Sequence, residues 1–99
     1  MEIERRRDTV VAHLTGELDH CSAQCIRREL DTLISDQSVK KLILDMQEMS
    51  FMDSSGIGVI LGRYRTLAQR GGKVAVRNMN PHVERIFILS GMNQIIQII

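Results

Sequence analysis

The hydrophobic pattern changes its period between Met46 and Ile57. Before this point, Leu42-Ile43-Leu44 is a continuous apolar run, typical of a strand that is buried on both faces of a sheet. After it, apolar residues recur three and four positions apart, as one face of a helix requires: Ile57, Ile60, Leu61, Tyr64, Leu67 and Ala68. Gly71-Gly72 ends this helix, and Lys73-Val74-Ala75-Val76 predicts the next strand. The pattern therefore predicts a strand–helix–strand unit with parallel strands and a right-handed crossover.

The first third of the chain predicts a strand pair and a helix. The strands cover Glu2 to Arg6 and Thr9 to Leu14, and the pair closes at Gly16, which fits a turn. Residues 16–20 form a loop leading to a helix from about residue 22 to residue 35, with Asp19 or Ser22 as its cap. The apolar face of this helix is formed by Ile26, Leu30, Leu33 and Ile34.

The last third predicts another helix. Asn80 is its cap and Pro81 its first residue, and Gly91 is its stop. Its inward residues are Val83, Ile86, Phe87 and Leu89. Residues 94–99 are apolar apart from two glutamines and form either a last edge strand or the start of a further element. No linker or repeat divides the chain, so we expect one α/β domain over residues 1–99.

Composition excludes several classes of function. With 43% hydrophobic and 25% charged residues, the 99-residue chain is an ordinary globular sequence. Its formal net charge of +1 predicts no strong attraction to DNA or to an anionic membrane. The N-terminus lacks the apolar block of a signal peptide, so a cytoplasmic protein is expected. The run Arg5-Arg6-Arg7 is interpreted as part of an exposed hairpin, although three arginines alone do not decide this.

Cys21 and Cys25 lie four residues apart, with His20 beside them. Zinc sites usually need two close pairs of ligands, and no second pair is present, because His13 and His82 are distant in sequence. We expect reduced structural thiols and no metal site.

The segment from Ser50 to Gly58 is the candidate for chemistry. Asp53, Ser54 and Ser55 stand between a strand and a helix, where side-chain oxygens can accept from free backbone N–H groups. Plain helix capping by the serines is one interpretation. The other is functional, because in parallel units functional groups gather at the carboxyl ends of the strands.

Two other functions are possible for this segment, serine hydrolysis and nucleotide binding. A serine hydrolase using Ser54 or Ser55 is disfavoured because the segment lacks the Gly-x-Ser-x-Gly elbow. Nucleotide binding is suggested by Gly56, Gly58 and Gly62, but the third glycine is one residue late and the next strand ends without an acidic residue. Gly58 and Gly62 are more simply interpreted as small residues that let another backbone approach the helix.

Three segments carry a resemblance to a known family. The stretch from Phe51 to Tyr64 resembles the signature of the STAS-domain anti-sigma-factor antagonists, above all the sporulation anti-anti-sigma factors of spore-forming Gram-positive bacteria. Leu14 to His20 matches the first loop of that family, and Arg85 to Met92 resembles its late helix and turn. The resemblance covers nearly the whole chain, in the same order.

The resemblance implies a STAS fold, which is a single mixed β-sheet with packed α-helices, and a binding module that is not an enzyme and needs no cofactor. Such proteins bind a serine-kinase anti-sigma factor with a histidine-kinase-like ATPase fold and so release its sigma factor. The kinase phosphorylates a serine of the antagonist, and a PP2C-type phosphatase reverses this. By resemblance the phosphoacceptor is Ser54, with Ser55 as the fallback. The implied partner surface comprises Gly16, Asp19, Asp53, Ser54, Ser55, Gly56, Ile57 and Arg63.

The resemblance leaves two points open. A STAS module of a stress-response or other partner-switching circuit fits the same residues with a different kinase. Relatives also commonly continue with a further C-terminal helix, whereas this chain stops at Ile99. Either this variant is short or the polypeptide is truncated.

Overall fold

The computed structural model describes residues 1–99 and contains one five-stranded sheet. Its strands lie side by side in chain order, β1 antiparallel to β2 and all later neighbours parallel. Tight turns suffice for antiparallel neighbours, whereas parallel neighbours need a crossover connection. The strands are β1 (Glu2–Arg6), β2 (Thr9–Leu18), β3 (Lys41–Met52), β4 (Lys73–Arg77) and β5 (Gln97–Ile98).

Three α-helices supply these crossovers: α1 (Ala23–Ile34), α2 (Ser54–Ala68) and α3 (Pro81–Leu89). A short 3₁₀ helix, Met92–Gln94, precedes β5. Helix α2 joins the parallel neighbours β3 and β4, as the change of hydrophobic period predicts. The predicted class, a mixed sheet with packed helices, is confirmed.

One apolar core joins all three helices to one face of the sheet. The helices contribute residues such as Leu30, Ile60 and Phe87, and the strands contribute alternate residues: Val10, Ala12, Leu14, Leu42, Leu44, Val74 and Val76. On the opposite face, Ile43 and Ala75 are buried but lie outside that core. The helices therefore cover one face and leave the other without a helical layer.

The strands that lead to the candidate segment are longer than predicted. The expected closure of the hairpin at Gly16 is wrong, because β2 continues to Leu18. Gly16 has a φ of +77°, and the pairing of β2 with β3 shifts register between Gly16 and Glu17. Glycine adopts this backbone readily, so the strand passes through an irregularity instead of ending. The loop between β2 and α1 therefore covers only residues 19–22.

The inward face of α2 also differs from the prediction. Val59 and Arg63 are buried, whereas Ala68 is exposed and Tyr64 is half-buried. Helix α2 packs against the sheet through the side that contains Gly56, so its buried face is rotated relative to the predicted one. In α3, the predicted burial of Leu89 is wrong: it is 75% exposed, because Val83 and Phe87, four residues apart, already form the inward stripe.

The interpretation of Gly58 and Gly62 as a close-approach pair is wrong. A Cβ atom added at either position would meet nothing within 4 Å. The close approaches are made by two other glycines. A Cβ at Gly72 would lie 2.5 Å from the Lys40 carbonyl oxygen, and Gly56 is equally crowded.

The remaining boundaries agree with the sequence. Asn80 caps α3, its side chain accepting from the Val83 N–H at 2.8 Å, and Pro81 opens that helix. Gly91 follows α3 with a φ of +80°, and residues 97–98 pair in parallel with β4, so of the two alternatives for the last residues the edge strand is the one formed. None of the helices has the length and apolar character needed to cross a bilayer.

Candidate functional site

The candidate site forms where the carboxyl ends of β2 and β3 meet. The two strands stay paired up to Leu18 and Met52. Just beyond, the Asp53 N–H donates to the Leu18 carbonyl at 3.3 Å, and the Ser50 hydroxyl donates to the Gly16 carbonyl at 3.2 Å. These bonds bring the segment 16–19 against the start of α2.

Asp53 is the N-cap of α2. Its backbone is extended, and its Oδ1 accepts from the Ser55 N–H at 2.8 Å and the Gly56 N–H at 3.4 Å. The cap therefore satisfies N–H groups of the first turn that lack partners within the helix. Its carboxylate makes no hydrogen bond to the Ser54 hydroxyl, so its role here is to fix the backbone of the turn.

The two serine hydroxyls are not used by the fold. Ser54 is the first residue of α2 and is exposed, and Ser55 is half-buried. Because Asp53 supplies the cap, neither serine caps the helix, and neither hydroxyl is hydrogen-bonded to a histidine or carboxylate. The arrangement thus lacks the base-activated nucleophile of a serine hydrolase. It offers an exposed hydroxyl at the positive end of a helix dipole.

Gly56 seats the first turn of α2 on the strand ends. A Cβ here would lie 2.5 Å from Met52 Cγ and 2.8 Å from both Leu18 Cγ and the Leu18 carbonyl oxygen. The residue is buried. The structure therefore gives Gly56 a packing role beneath the site rather than a place on its surface.

Asp19 shapes the turn beside Ser54. Its Oδ1 accepts from the N–H groups of Cys21 and Ser22, each at 3.0 Å, and the Ser22 hydroxyl donates to the Glu17 carbonyl at 2.6 Å. The hydrogen bond from the Ser22 N–H is the main cause that holds the pKa of the Asp19 carboxyl below its usual value. Ser22 precedes α1 without capping it through its side chain, so Asp19 is the residue that organises this turn.

Arg63 does not belong to the exposed site. It is buried, and its Nε lies 3.0 Å from Asp31 Oδ1 of α1. Burial lowers the pKa of the guanidinium, and the charge of Asp31 acts in the opposite direction. Arg63 thus ties α1 to α2, and its expected role as a surface contact is corrected. Ile57 is half-buried and packs against the core at the edge of the site.

Two features of the site escaped the sequence reasoning. Phe51 is 37% exposed and stacks on His82 with ring centroids 5.3 Å apart, which places α3 beside the strand end. A groove of about 440 Å³ also runs between the first turns of α1 and α2, and its lining includes His20, Arg27 and Ser55. An aromatic residue at a strand end was a usable signal for the stack. The groove arises from the packing of α1 against α2, so no short stretch of sequence indicates it.

The fold and this arrangement define a class of protein: a small α/β module with an exposed serine at a helix N-terminus. The STAS domain model matches residues 1–99, and the chain belongs to the STAS family. It is 40% identical over 98 residues to the anti-sigma F factor antagonist of Paenibacillus polymyxa, covering 99% of this chain and 84% of that relative. Within the family, the chain therefore groups with the anti-sigma factor antagonists.

Solved structures agree with this placement. The anti-sigma factor antagonist SpoIIAA in its unphosphorylated form matches with a TM-score of 0.85 and 37% identity, covering 99% of this chain and 86% of that one. SpoIIAA of Bacillus in its phosphorylated form matches with a TM-score of 0.76 and 36% identity, covering 99% and 89%. Proteins that share this fold at this identity thus exist in two phosphorylation states.

Proposed function

We propose that this chain binds a serine-kinase anti-sigma factor in its unphosphorylated form, releases the sigma factor held by that kinase, and is switched off by phosphorylation of Ser54. A PP2C-type phosphatase restores the active form. The circuit proposed is that of sporulation, in the cytoplasm. The chain itself supplies no catalytic group; the kinase brings ATP and magnesium, and this chain provides the hydroxyl.

One observation carries the proposal: the Ser54 hydroxyl is exposed at the first position of α2 and has no structural task. Asp53 already caps the helix. A kinase can therefore modify Ser54 without breaking a hydrogen bond of the fold. Ser55, the alternative acceptor, is half-buried and lines the groove between α1 and α2.

The phosphorylated fold is expected to stay intact. A phosphoserine carries about −1.5 to −2 charges at neutral pH. Asp53 already accepts from the Ser55 and Gly56 N–H groups, so at the N-terminus of α2 this dianion meets mainly the positive end of the helix dipole, which stabilises it by on the order of 1 kcal/mol. The carboxylate of Asp53 opposes part of this gain. The modification therefore changes the binding surface more than the fold.

Loss of binding follows from local electrostatics. A dianion placed in an interface has to be desolvated or paired, and an unsuitable partner surface makes this cost several kcal/mol. A hundredfold loss of affinity needs only about 3 kcal/mol. No large conformational change is required for the switch.

Site mapping tests the acceptor. The wild-type chain, Ser54→Ala and Ser55→Ala are incubated with magnesium-ATP and the anti-sigma kinase of the same organism, and the products are analysed by intact mass and peptide mapping. One phosphoryl group on wild type and Ser55→Ala, and none on Ser54→Ala, is the expected result. Transfer to Ser54→Ala but not to Ser55→Ala would assign the phosphoacceptor to Ser55. Absence of transfer to any of the three proteins, by a kinase that is active on another substrate, would overturn the proposal.

A further inference from the structure

A second surface lies at the end of the sheet opposite Ser54. Four cations cluster there: Arg6 and Arg7 of the β1–β2 hairpin, Lys41 at the start of β3 and Lys73 at the start of β4. We call these four residues the basic edge. The proposed phosphorylation switch does not use them.

The pairing of the strands brings the basic edge together. Arg6 pairs with Thr9, Thr9 with Lys41, and Lys41 with Lys73, so three cations stand in one row across four strands. Directly paired residues point to the same face of a sheet, and neighbouring strands lie about 4.8 Å apart, so the row spans roughly 14 Å. It lies on the face that has no helical layer.

Nearby cations have structural tasks that the basic edge lacks. Lys40 Nζ donates to the Arg70 carbonyl at 3.3 Å, Arg70 Nη2 donates to the Ile34 carbonyl at 2.6 Å, and Arg5 pairs with Asp36 at 2.7 Å. The Ile34 carbonyl belongs to the last residue of α1, a helix C-terminus, where cations are favourable. The side chains of the basic edge make no ion pair and no hydrogen bond. Their charge is thus available to a partner.

A groove of about 720 Å³ adjoins the row. Arg6 and Arg7 line it with the half-buried Val11, and the carboxylates of Glu4 and Asp8 lie among them. A continuous phosphate backbone would be repelled by these two carboxylates. A peptide can place single carboxylates on the cations and an apolar side chain beside Val11. No aromatic residue of the chain lines this groove to stack with a base.

The basic edge is electrostatically separate from the Ser54 end. Strand β3 runs from one to the other, and the molecule is 33 Å long. At physiological salt the Debye length is about 8 Å, so charges at the two ends are screened from each other. A new charge on Ser54 leaves the basic edge unchanged.

We propose that the basic edge docks an acidic, extended segment of a partner protein, and that this docking is independent of the phosphorylation state of Ser54. Electrostatic complementarity of this kind sets orientation and association rate. The basic edge thus gives the module a second partner contact, which persists when phosphorylation of Ser54 abolishes binding at the first.

Titration with an acetylated octapeptide of alternating glutamate and valine tests this, with the backbone amides of the whole chain followed by NMR. Saturable shifts are expected at the basic edge and not at residues 53–56. The triple variant Arg6→Glu/Lys41→Glu/Lys73→Glu should weaken binding at least about tenfold. The matched control Arg28→Glu/Arg65→Glu/Arg85→Glu changes the same charge at three exposed arginines elsewhere and should weaken it less than threefold.

Two further measurements keep the proposal falsifiable. If the triple variant does not fold, Arg6→Gln/Arg7→Gln in the exposed hairpin takes its place. Ser54→Asp should bind the peptide within about twofold of wild type, because the ends are screened from each other. Absence of saturable shifts, equal loss in the control variant, or tighter binding of a single-stranded oligonucleotide of eight nucleotides at the same amides would overturn the proposal. None of these outcomes bears on phosphorylation of Ser54.

Discussion

Replacing Gly56 by alanine tests how α2 is seated on the strand ends. The new Cβ would lie 2.5 Å from Met52 Cγ and 2.8 Å from the Leu18 carbonyl oxygen. Met52 can move its flexible side chain, but the Leu18 carbonyl belongs to the strand pairing and also accepts from Asp53. Relief therefore requires α2 to shift. Overpacking of this kind costs about 1–3 kcal/mol, and a contact with backbone favours the upper end.

Gly58→Ala is the matched control. It lies in the same helix, two residues further on, with nothing within 4 Å of the added Cβ. Alanine favours a helix over glycine by about 0.5–1 kcal/mol, and this gain applies to both variants. The difference in unfolding free energy between the two variants therefore isolates the steric term.

Urea denaturation followed by circular dichroism measures both variants. Gly58→Ala should be more stable than wild type by about 0.5–1 kcal/mol. Gly56→Ala should lie about 2–3 kcal/mol below Gly58→Ala, which for a chain of 99 residues corresponds to a difference in Tm of roughly 10 °C or more. If Gly56→Ala were as stable as Gly58→Ala, the close packing of α2 against Leu18 would be refuted.

Three further predictions concern charged residues. Asp53→Ala should lower the unfolding free energy by about 1 kcal/mol, and Asp53→Asn by less, since the amide oxygen still caps α2; urea denaturation of the two variants checks this. Arg63→Met should be as stable as wild type or more so in thermal melts, because it removes the desolvation cost of a buried cation and the Asp31 carboxylate that it leaves unpaired is exposed to water. Burial would raise the pKa of the Asp45 carboxyl, but hydrogen bonds, above all from Arg77, hold it below its usual value. A depressed folded-state pKa gives stability that is present above about pH 4 and is lost as pH falls through the folded-state pKa. The stability advantage of wild type over Asp45→Asn should therefore shrink on acidification from pH 7 to pH 2. Equal advantages at both pH values would contradict this.

The hydrophobic pattern predicted the elements correctly where periodicity decides them. The unit made of β3, α2 and β4 follows from a change of period flanked by glycines, and Asn80-Pro81 marks the start of α3 through capping and a fixed φ. These are local properties, and they survive in the folded chain because the tertiary structure agrees with them.

The errors arise where tertiary contacts override local signals. Gly16 is a turn residue by propensity and has a positive φ, but pairing with β3 continues on both sides of it, so β2 does not end there. Arg63 is a surface residue by composition, but in the fold it is buried between α1 and α2, where the exposed Asp31 of α1 is its ion-pair partner. Gly58 and Gly62 share a spacing with packing motifs, whereas the crowded glycine of α2 is Gly56. None of these contacts can be read from one segment alone.

The candidate site was partly accessible to sequence reasoning. The position of Asp53, Ser54 and Ser55 at a helix N-terminus followed from the pattern, but which oxygen caps the helix did not. The distinction matters, because a capping aspartate leaves the serine hydroxyls free. The basic edge was not predicted either, since Arg6, Lys41 and Lys73 are brought into one row only by the strand register.

The most direct test of the central proposal is the affinity of the anti-sigma kinase for the unmodified chain and for the chain phosphorylated at Ser54, measured by isothermal titration calorimetry. Ser54→Ala, which keeps the fold and cannot carry the phosphoryl group, serves as the control. The unmodified chain and Ser54→Ala should bind with similar affinity, and the phosphorylated chain at least a hundredfold more weakly, a difference of about 3 kcal/mol. Equal affinities of the phosphorylated and unmodified chains would contradict a switch at Ser54.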